Sequence, residues 1–297
     1  RRTAHKPPKL HRFAVLIAAR NEEAVISELI DSINAQDYPS GLIDIYVAAD
    51  NCTDGTAAEA ARHGALVYER EDAQRVGKGC ALSWAFDKLR EDYGDRFDAA
   101  AVFDADNLVD PGFLAAVNDV LCTGADVTQG YRDSTNPDES AVSSCYAVYW
   151  LLLMRFFHRA RYNSGLPCLV GGTGFAFRWS CIAQNGWHTQ TLGEDSEFSL
   201  QQILAGRQIV PAYRAVFYDE QPTTWAVSFR QRFRWLVGSV QCMRYLPACL
   251  KSLFHRQKGD GPRLAAAVDM TAYLLAAPAC TLLVVSGLFG LLAMAFT

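Results

Sequence analysis

Short continuous apolar runs alternate with stretches whose apolar residues recur every three or four positions through the first third of the chain. Residues 13–18 form the first such run, which is typical of a strand buried in a parallel sheet, and helical spacing follows from Val25 to Ile33. The same pattern predicts further strands and helices at 43–49, 56–63, 65–68, 79–93 and 99–103. It therefore predicts a doubly wound α/β domain, whose ligands bind at the carboxyl ends of the strands.

Two uncharged stretches farther along have a different character. Residues 141–154 carry aromatic side chains and precede several basic residues, but as a helix they would reach only about 21 Å, too short to cross a bilayer. A second stretch begins at Trp235 and is interrupted at Pro247. We interpret the first as an interfacial or core helix and residues 235–263 as an amphipathic interfacial segment, both pressed against a bilayer.

The end of the chain is apolar. Residues 270–297 contain no charged side chain, which predicts a transmembrane helix within 264–297; the alternative is a buried helix of a large soluble protein. Basic residues flank the polar region, and residues 1–12 form a basic juxtamembrane segment. This distribution predicts an integral protein of a plasma or inner membrane with its polar domain facing the cytoplasm. The opening at Arg1-Arg2 further suggests that the native protein is longer at both ends.

Composition narrows the function classes. Half of the residues are hydrophobic and the net charge is −4, with basic residues scattered rather than clustered with aromatics, so a nucleic-acid partner is not expected. Nine cysteines occur without metal-ligand spacing, which indicates reduced thiols.

Candidate chemistry begins with carboxylates at predicted strand ends. Asp104 and Asp106 directly follow the strand 99–103; this spacing suits a divalent cation and equally suits a solvated turn that caps a helix. Asp50 follows the strand 43–49 and could accept a hydrogen bond from a base. Lys78, between two glycines, could neutralise a phosphate or simply mark a loop-to-helix junction.

A second group lies on two predicted helices. Glu194 and Asp195 begin a helical pattern, where carboxylates often only complement the helix dipole, and at most one of the two is expected to aim into a cleft. Gln231, Arg234 and Trp235 share one helical face. That combination suits a diphosphate beside a sugar ring, and it also suits an interfacial helix anchored by a Trp.

Taken in order, these residues resemble the membrane-bound inverting glycosyltransferases of family 2, the group that includes cellulose, chitin and hyaluronan synthases. The similarity spans some 215 residues. It is carried by the motifs Arg20-Asn21-Glu22-Glu23, Asp50, Lys78-Gly79, Asp104-Ala-Asp106, Gly172-Thr173-Gly174, Gly193-Glu-Asp195 and Gln231-x-x-Arg234-Trp235. The resemblance implies a GT-A (Rossmann-like) catalytic domain over residues 13–234.

The resemblance also implies residue roles. Asp195 occupies the position of the catalytic base, and Asp104 and Asp106 that of the Mg²⁺ or Mn²⁺ ligands. The donor UDP-sugar would be bound by Arg20, Glu22, Asp50, Lys78, Asp104, Gln231 and Arg234, with Asp50 on the uracil. The acceptor would meet Trp235, Glu194, Gly172 and Thr173. Gly193 departs from the family's usual Thr, which removes a hydroxyl beside the base.

The implied activity is transfer of a sugar of the glucose or N-acetylglucosamine class from a UDP-sugar to an acceptor hydroxyl, with a growing polysaccharide at the cytoplasmic membrane face preferred. Transfer of one sugar to a membrane lipid stays open. A catalytically silent UDP-sugar-binding module is disfavoured because no site carboxylate is lost. A polymer conduit needs several helices, so a homo-oligomer or additional membrane subunits are also open.

Overall fold

A computed structural model describes residues 9–184, 186–254, 264–276 and 279. Its centre is a mixed sheet of eight strands: β1 Phe13–Ala19, β2 Ile43–Asp50, β3 Leu66–Arg70, β4 Ala99–Asp104, β5 Leu108–Val109, β6 Val127–Ser134, β7 Phe175–Arg178 and β8 Ile209–Asp219. Their spatial order is β3-β2-β1-β4-β7-β6-β8-β5. The strands predicted from apolar runs are present, with ends shifted by up to two residues.

Helices cover the sheet and extend beyond it. They are α1 Ile26–Asn34, α2 Thr56–Arg62, α3 Lys78–Tyr93, α4 Phe113–Cys122, α5 Ala141–Leu152, α6 Arg159–Asn163, α7 Glu194–Leu204, α8 Trp225–Cys242, α9 Leu246–Phe254 and α10 264–276. A π-helical turn, Leu153–His158, joins α5 to α6. The predicted boundary between residues 234 and 235 falls inside α8, so the two segments predicted on either side of it share one helix.

Strand β1 shows why the first half folds as it does. It pairs in parallel with β2 on one side and β4 on the other, so all of its backbone groups are within the sheet. Its odd-numbered side chains pack with α1 and its even-numbered ones with α3. Each fully buried aliphatic side chain there stabilises the fold by about 1.5–3 kcal/mol. A strand covered on both faces must be continuously apolar, which is the pattern that predicted it.

The second half of the sheet breaks the simple alternation. After α5 and α6 the chain returns as β7, which lies antiparallel between β4 and β6. This return places residues 171–174, here called the glycine loop, beside the carboxyl end of β4. The α/β fold class expected from the sequence is confirmed, but the insertion of an antiparallel strand was not anticipated because β7 is only four residues long.

Within the described part of the chain, no helix combines the length and apolarity needed to cross a membrane. Most of the predicted spanning segment, residues 277–297 except 279, lies outside the described residues, as do residues 1–8 of the predicted basic segment and 255–263 of the interfacial one. The described helix α10 packs on the α/β domain through buried Met270 and Leu274. Its Asp269 pairs with both terminal nitrogens of Arg161 on α6.

Candidate active site

Lys78 and Asp104 form the centre of a cleft at the carboxyl ends of the strands. Asp104 ends β4, and Lys78 begins α3 after Gly77, whose φ of 123° favours glycine. The Lys78 ammonium donates to Asp104 Oδ1 and, at 2.7 Å, to the Gly172 carbonyl. Burial alone would lower the pKa of Lys78, but Asp104 and Glu194 outweigh it and raise the pKa. The cleft therefore contains a permanent cation suited to phosphate.

Asp106 faces three other carboxylates at the mouth of the same cleft. The Asp106 side chain is exposed, but the walls of the cleft restrict its hydration. Restricted hydration, together with repulsion from Asp219, Asp104 and Glu22, raises the pKa of Asp106 to about 7. A divalent cation would relieve that repulsion, so the donor set fits Mg²⁺ or Mn²⁺. Among the described residues, no group of three or more His, Cys, Asp or Glu could hold a metal by itself. Ligand oxygens, such as those of a diphosphate, would complete the coordination.

The glycine loop is held rigidly against the carboxylates. Buried Gln129 on β6 accepts from the Gly171 amide at 2.8 Å and donates to the Thr173 and Gly174 carbonyls at 3.1 and 3.2 Å. The Thr173 hydroxyl accepts from the Asp104 amide at 2.9 Å and donates to Asn107. Asn107 in turn donates to Asp219 at 2.8 Å. Gly172 and Thr173, predicted on the acceptor side, thus also fix the end of β4.

Asp195 borders the glycine loop from the other side. Its Oδ2 lies 3.5 Å from the position that a Cβ on Gly172 would take, and its Oδ1 accepts from the Ser196 amide at 2.6 Å. Burial raises the pKa of Asp195, partly offset by the Ser196 amide, Lys78 and Arg132. A raised pKa makes this carboxylate a stronger base than an exposed aspartate.

Glu194, predicted on the acceptor side, lies near Lys78. Its Oε1 lies 3.9 Å from the Lys78 ammonium, and its Cβ lies 3.2 Å from where a Cβ on Gly79 would be. Burial and the neighbouring Asp195 raise the pKa of Glu194 to about 7. Glu194 therefore lies beside Lys78 and Gly79 of α3, whereas Asp195 lies beside Gly172 of the glycine loop.

Asp50 lies at the far edge of the cleft. It is separated from Asp104 by β1, or roughly 10 Å at the usual strand spacing. Its Oδ1 accepts from Arg70 at 2.5 Å and from Asn51 at 2.9 Å, which leaves Oδ2 for a ligand such as a base N–H. Arg20 is exposed just beyond the end of β1, and Glu22 contributes to the negative field at Asp106. The predicted donor residues on β1, β2 and β4 therefore line one edge of the sheet.

Gln231, Arg234 and Trp235 were predicted to share one face of a helix, and the structure confirms that all three lie in α8. Trp235 packs edge-on against Tyr146 and Trp150 of α5, with ring centres 6.1 and 6.0 Å away. Arg234 is exposed. Gln231 Oε1 is buried without a hydrogen-bond partner among the described residues, a state that costs about 1–3 kcal/mol. That oxygen suits a ligand hydroxyl, while the amide nitrogen could serve a phosphate.

Two charged residues at this site were missed from the sequence. Arg132 of β6 stacks over Trp150 at 4.0 Å, donates to the Gly171 carbonyl and lies 3.5 Å from Asp219. Asp219 ends β8 and is repelled by Asp104. Neither β6 nor β8 was among the strands predicted from the sequence, so neither residue was marked as lying at a ligand-binding edge. Only the pairing of β6 with β7 and β8 brings these two to the cleft.

Comparison with known proteins identifies related sequences. The profile of the family described as glycosyltransferase like family 2 matches residues 9–238. The chain is 27% identical over 243 residues to the probable glycosyltransferase YdaM of Bacillus subtilis, covering 78% of this chain and 56% of that protein. It is 27% identical over 246 residues to the beta-monoglucosyldiacylglycerol synthase of Nostoc sp., covering 78% and 49%. The chain spans about half the length of these curated relatives.

Solved structures share the fold. The mannosyltransferase PcManGT from Pyrobaculum calidifontis, in complex with GDP-Man and Mn²⁺, gives a TM-score of 0.63 at 20% identity, covering 97% of this chain and 83% of that one. Residues 1–349 of S. aureus TarS, in complex with UDP-GlcNAc, give 0.61 at 16% identity, covering 89% and 71%. At these identities the likeness establishes the fold alone, and it confirms the expected GT-A architecture.

Proposed function

The chain belongs to glycosyltransferase-like family 2, and on that premise we propose that it transfers a hexose from a UDP-sugar to an acceptor hydroxyl with inversion at the anomeric carbon. One observation carries the proposal: the glycine loop contacts both Lys78 and the end of β4 and borders Asp195. Gly172 accepts from Lys78 and lies against Asp195, while Thr173 binds the end of β4. A cation, a carboxylate pair and a candidate base thereby surround one small space.

In this mechanism Asp195 takes the proton of the acceptor hydroxyl as that oxygen attacks the anomeric carbon. Lys78, Arg234 and the amide nitrogen of Gln231 stabilise the charge that grows on the departing diphosphate. Asp104 and Asp106 would hold Mg²⁺ or Mn²⁺, which supplies further positive charge to the diphosphate. Glucosyl-3-phosphoglycerate synthase from Mycobacterium tuberculosis, which shares the fold with a TM-score of 0.53, was crystallised with Mn²⁺ and UDP.

The acceptor predicted from the sequence is a growing polysaccharide, and a membrane lipid is the second candidate. What favours a lipid is an apolar face beside Trp235, formed by exposed side chains of α5, its π-helical turn and α8: Val148, Leu151, Leu152, Phe156, Trp225, Phe229, Phe233 and Val240. Residues 221–254 contain basic side chains but no acidic one, in a chain of net charge −4. The apolar face and the basic side chains around it therefore together suit an anionic bilayer. On this basis we propose that the catalytic domain lies at the cytoplasmic side of a membrane.

The experiment that tests this function supplies membranes bearing the full-length protein with Mn²⁺ and radiolabelled UDP-glucose, UDP-N-acetylglucosamine or GDP-mannose. Label in high-mass product from a UDP-sugar supports the polysaccharide synthase, and label in organic-soluble product supports the lipid glycosyltransferase. Transfer from GDP-mannose alone would overturn the UDP assignment. UDP binding without any transfer would establish a silent module instead.

We expect Trp235→Ala to impair acceptor use more than donor hydrolysis. The ring packs on α5 at the edge of the cleft, where it would lie against an acceptor sugar, and burial of a large apolar side chain contributes about 1.5–3 kcal/mol. Transfer should therefore fall about tenfold with little change in UDP-sugar hydrolysis, measured in parallel. Tyr213→Ala is the control, because Tyr213 is an exposed aromatic residue of β8 that the proposal places neither in the cleft nor in the apolar face. Equal loss of transfer and hydrolysis would contradict the stacking role.

Replacing Phe229 and Phe233 by serine should weaken binding to lipid. Their rings stack at 6.4 Å, are 70% and 58% exposed, and each would contribute about 1.5–3 kcal/mol when buried in a bilayer. In flotation of residues 1–276, which keep α10, with anionic vesicles, we expect at least about a tenfold loss of bound protein. Leu66→Ser, at an exposed site on the edge strand β3, is the control. Unchanged flotation of the double variant would exclude the apolar face as the lipid contact.

A further inference from the structure

Two glycines meet backbone to backbone where α8 crosses the segment that leads into α7. A Cβ added to Gly238 of α8 would lie 2.6 Å from the Gly193 amide nitrogen and 2.9 Å from the Gly193 Cα. Cβ atoms do not approach backbone atoms so closely, and a backbone cannot rotate away as a side chain can. The contact is one-sided, because a Cβ on Gly193 would come no closer than 3.5 Å to Gly238.

The segment that Gly238 contacts, residues 190–193, is here called the base strap. Buried Glu197 of α7 holds it from one side, since its Oε2 accepts the Gln190 and Thr191 amides at 2.7 Å each. From the other side, Gln241 of α8 accepts the Leu192 amide at 2.8 Å. The base strap is therefore tied to both helices and cannot move independently of either.

This crossing connects two parts of the proposed active site. The base strap runs directly into Glu194 and Asp195 at the start of α7. Gly238 follows Trp235 by three residues and Arg234 by four, so it lies one turn beyond the proposed diphosphate and acceptor residues. The distance between the backbones of Gly238 and Gly193 therefore determines the distance between Asp195 and the residues of α8.

We propose that Gly238 is a positioning residue, which acts through the Gly193 backbone to hold Asp195 in register with Gln231, Arg234 and Trp235. The inference rests on the proposed function. A methyl group at this point must push α8 and the base strap apart. Misplacement of reacting groups by about 1 Å can lower a rate about 100-fold. Alanine also favours a helix over glycine, so the substitution would not unravel α8.

The test compares Gly238→Ala with Gly193→Ala in the full-length protein. We expect Gly238→Ala to lower kcat for sugar transfer at least about tenfold, with less than about a threefold change in the donor KM, because the interaction acts in the transition state. Gly193→Ala should change either constant less than about threefold, since its methyl group fits. Both should melt within about 3 °C of the wild type.

Equal losses in the two glycine variants would overturn the inference, as would a Gly238→Ala loss that merely follows the fraction of folded protein. Should Gly238→Ala not fold, Gln241→Leu decides: it removes the hydrogen bond to Leu192 at an exposed site and adds no bulk. It should lower kcat about threefold with a fall of no more than about 4 °C in the melting temperature, and an unchanged kcat would refute the coupling. The wild-type rate in the same assay separately tests the proposed function.

Discussion

Asparagine in place of Asp195 is expected to abolish sugar transfer while nucleotide binding persists. The asparagine side chain keeps the shape of Asp195, and the backbone N–H of Ser196 can still donate to its oxygen. Its neutral carboxamide, however, cannot take the proton of the acceptor hydroxyl. General-base catalysis contributes about 10²–10⁴-fold, so the rate should fall by at least about 10². Transfer is measured with the labelled donor, and UDP affinity by calorimetry in the presence of Mn²⁺.

Glu194→Gln is the matched control, since Glu194 adjoins Asp195 but faces Lys78. It should alter donor affinity and leave substantial turnover. The pH dependence gives a second check: burial raises the pKa of Asp195, so wild-type kcat should fall with decreasing pH sooner than for an exposed aspartate. Loss of UDP binding in Asp195→Asn, or abolition of transfer by Glu194→Gln alone, would show that the base is wrongly assigned.

Changing Asp106 to asparagine should remove most of the cation dependence of nucleotide binding. Asp106 is the carboxylate at the cleft mouth that Asp219, Asp104 and Glu22 surround, and an amide is a much weaker ligand for a hard cation. We expect the affinity for UDP in the presence of Mn²⁺ to fall about 100-fold, toward the affinity that the wild type shows when a chelator removes the cation. Titration calorimetry with Mn²⁺ and with EDTA measures both.

The same substitution should not lower the melting temperature of the cation-free protein, because it removes a charge that three neighbours repel. Asp138→Asn, at an exposed aspartate between β6 and α5, is the control and should change neither quantity. If Asp106→Asn binds UDP as the wild type does in Mn²⁺, Asp106 is not a cation ligand. If Asp106→Asn binds UDP weakly and also melts at a lower temperature than the wild type, the role of Asp106 is structural.

Local patterns predicted the parts of the site that end regular elements. Asp50 and Asp104 were found because a continuous apolar run marks a strand covered on both faces, and the residue at its carboxyl end enters the ligand edge. The helical face of Gln231, Arg234 and Trp235 followed from the spacing of three and four residues. These inferences need only the geometry of one strand or one helix.

The remaining parts depend on elements distant in the sequence. Arg132 and Asp219 reach the cleft only because β7 enters between β4 and β6, and a four-residue strand leaves almost no periodic signal. The contact of Gly238 with Gly193 likewise joins two elements whose crossing no local pattern encodes.

The sequence by itself determined the first four strands and the helices between them, since burial of apolar side chains acts residue by residue; the identity of the catalytic candidates followed from the resemblance to a known family. Only the tertiary structure decided which of those candidates meet, that Glu194 turns toward Lys78, and that the glycine loop joins the cation, the carboxylates and the base. The physical reason is that distances between side chains depend on how the sheet orders its strands and how closely two backbones can approach.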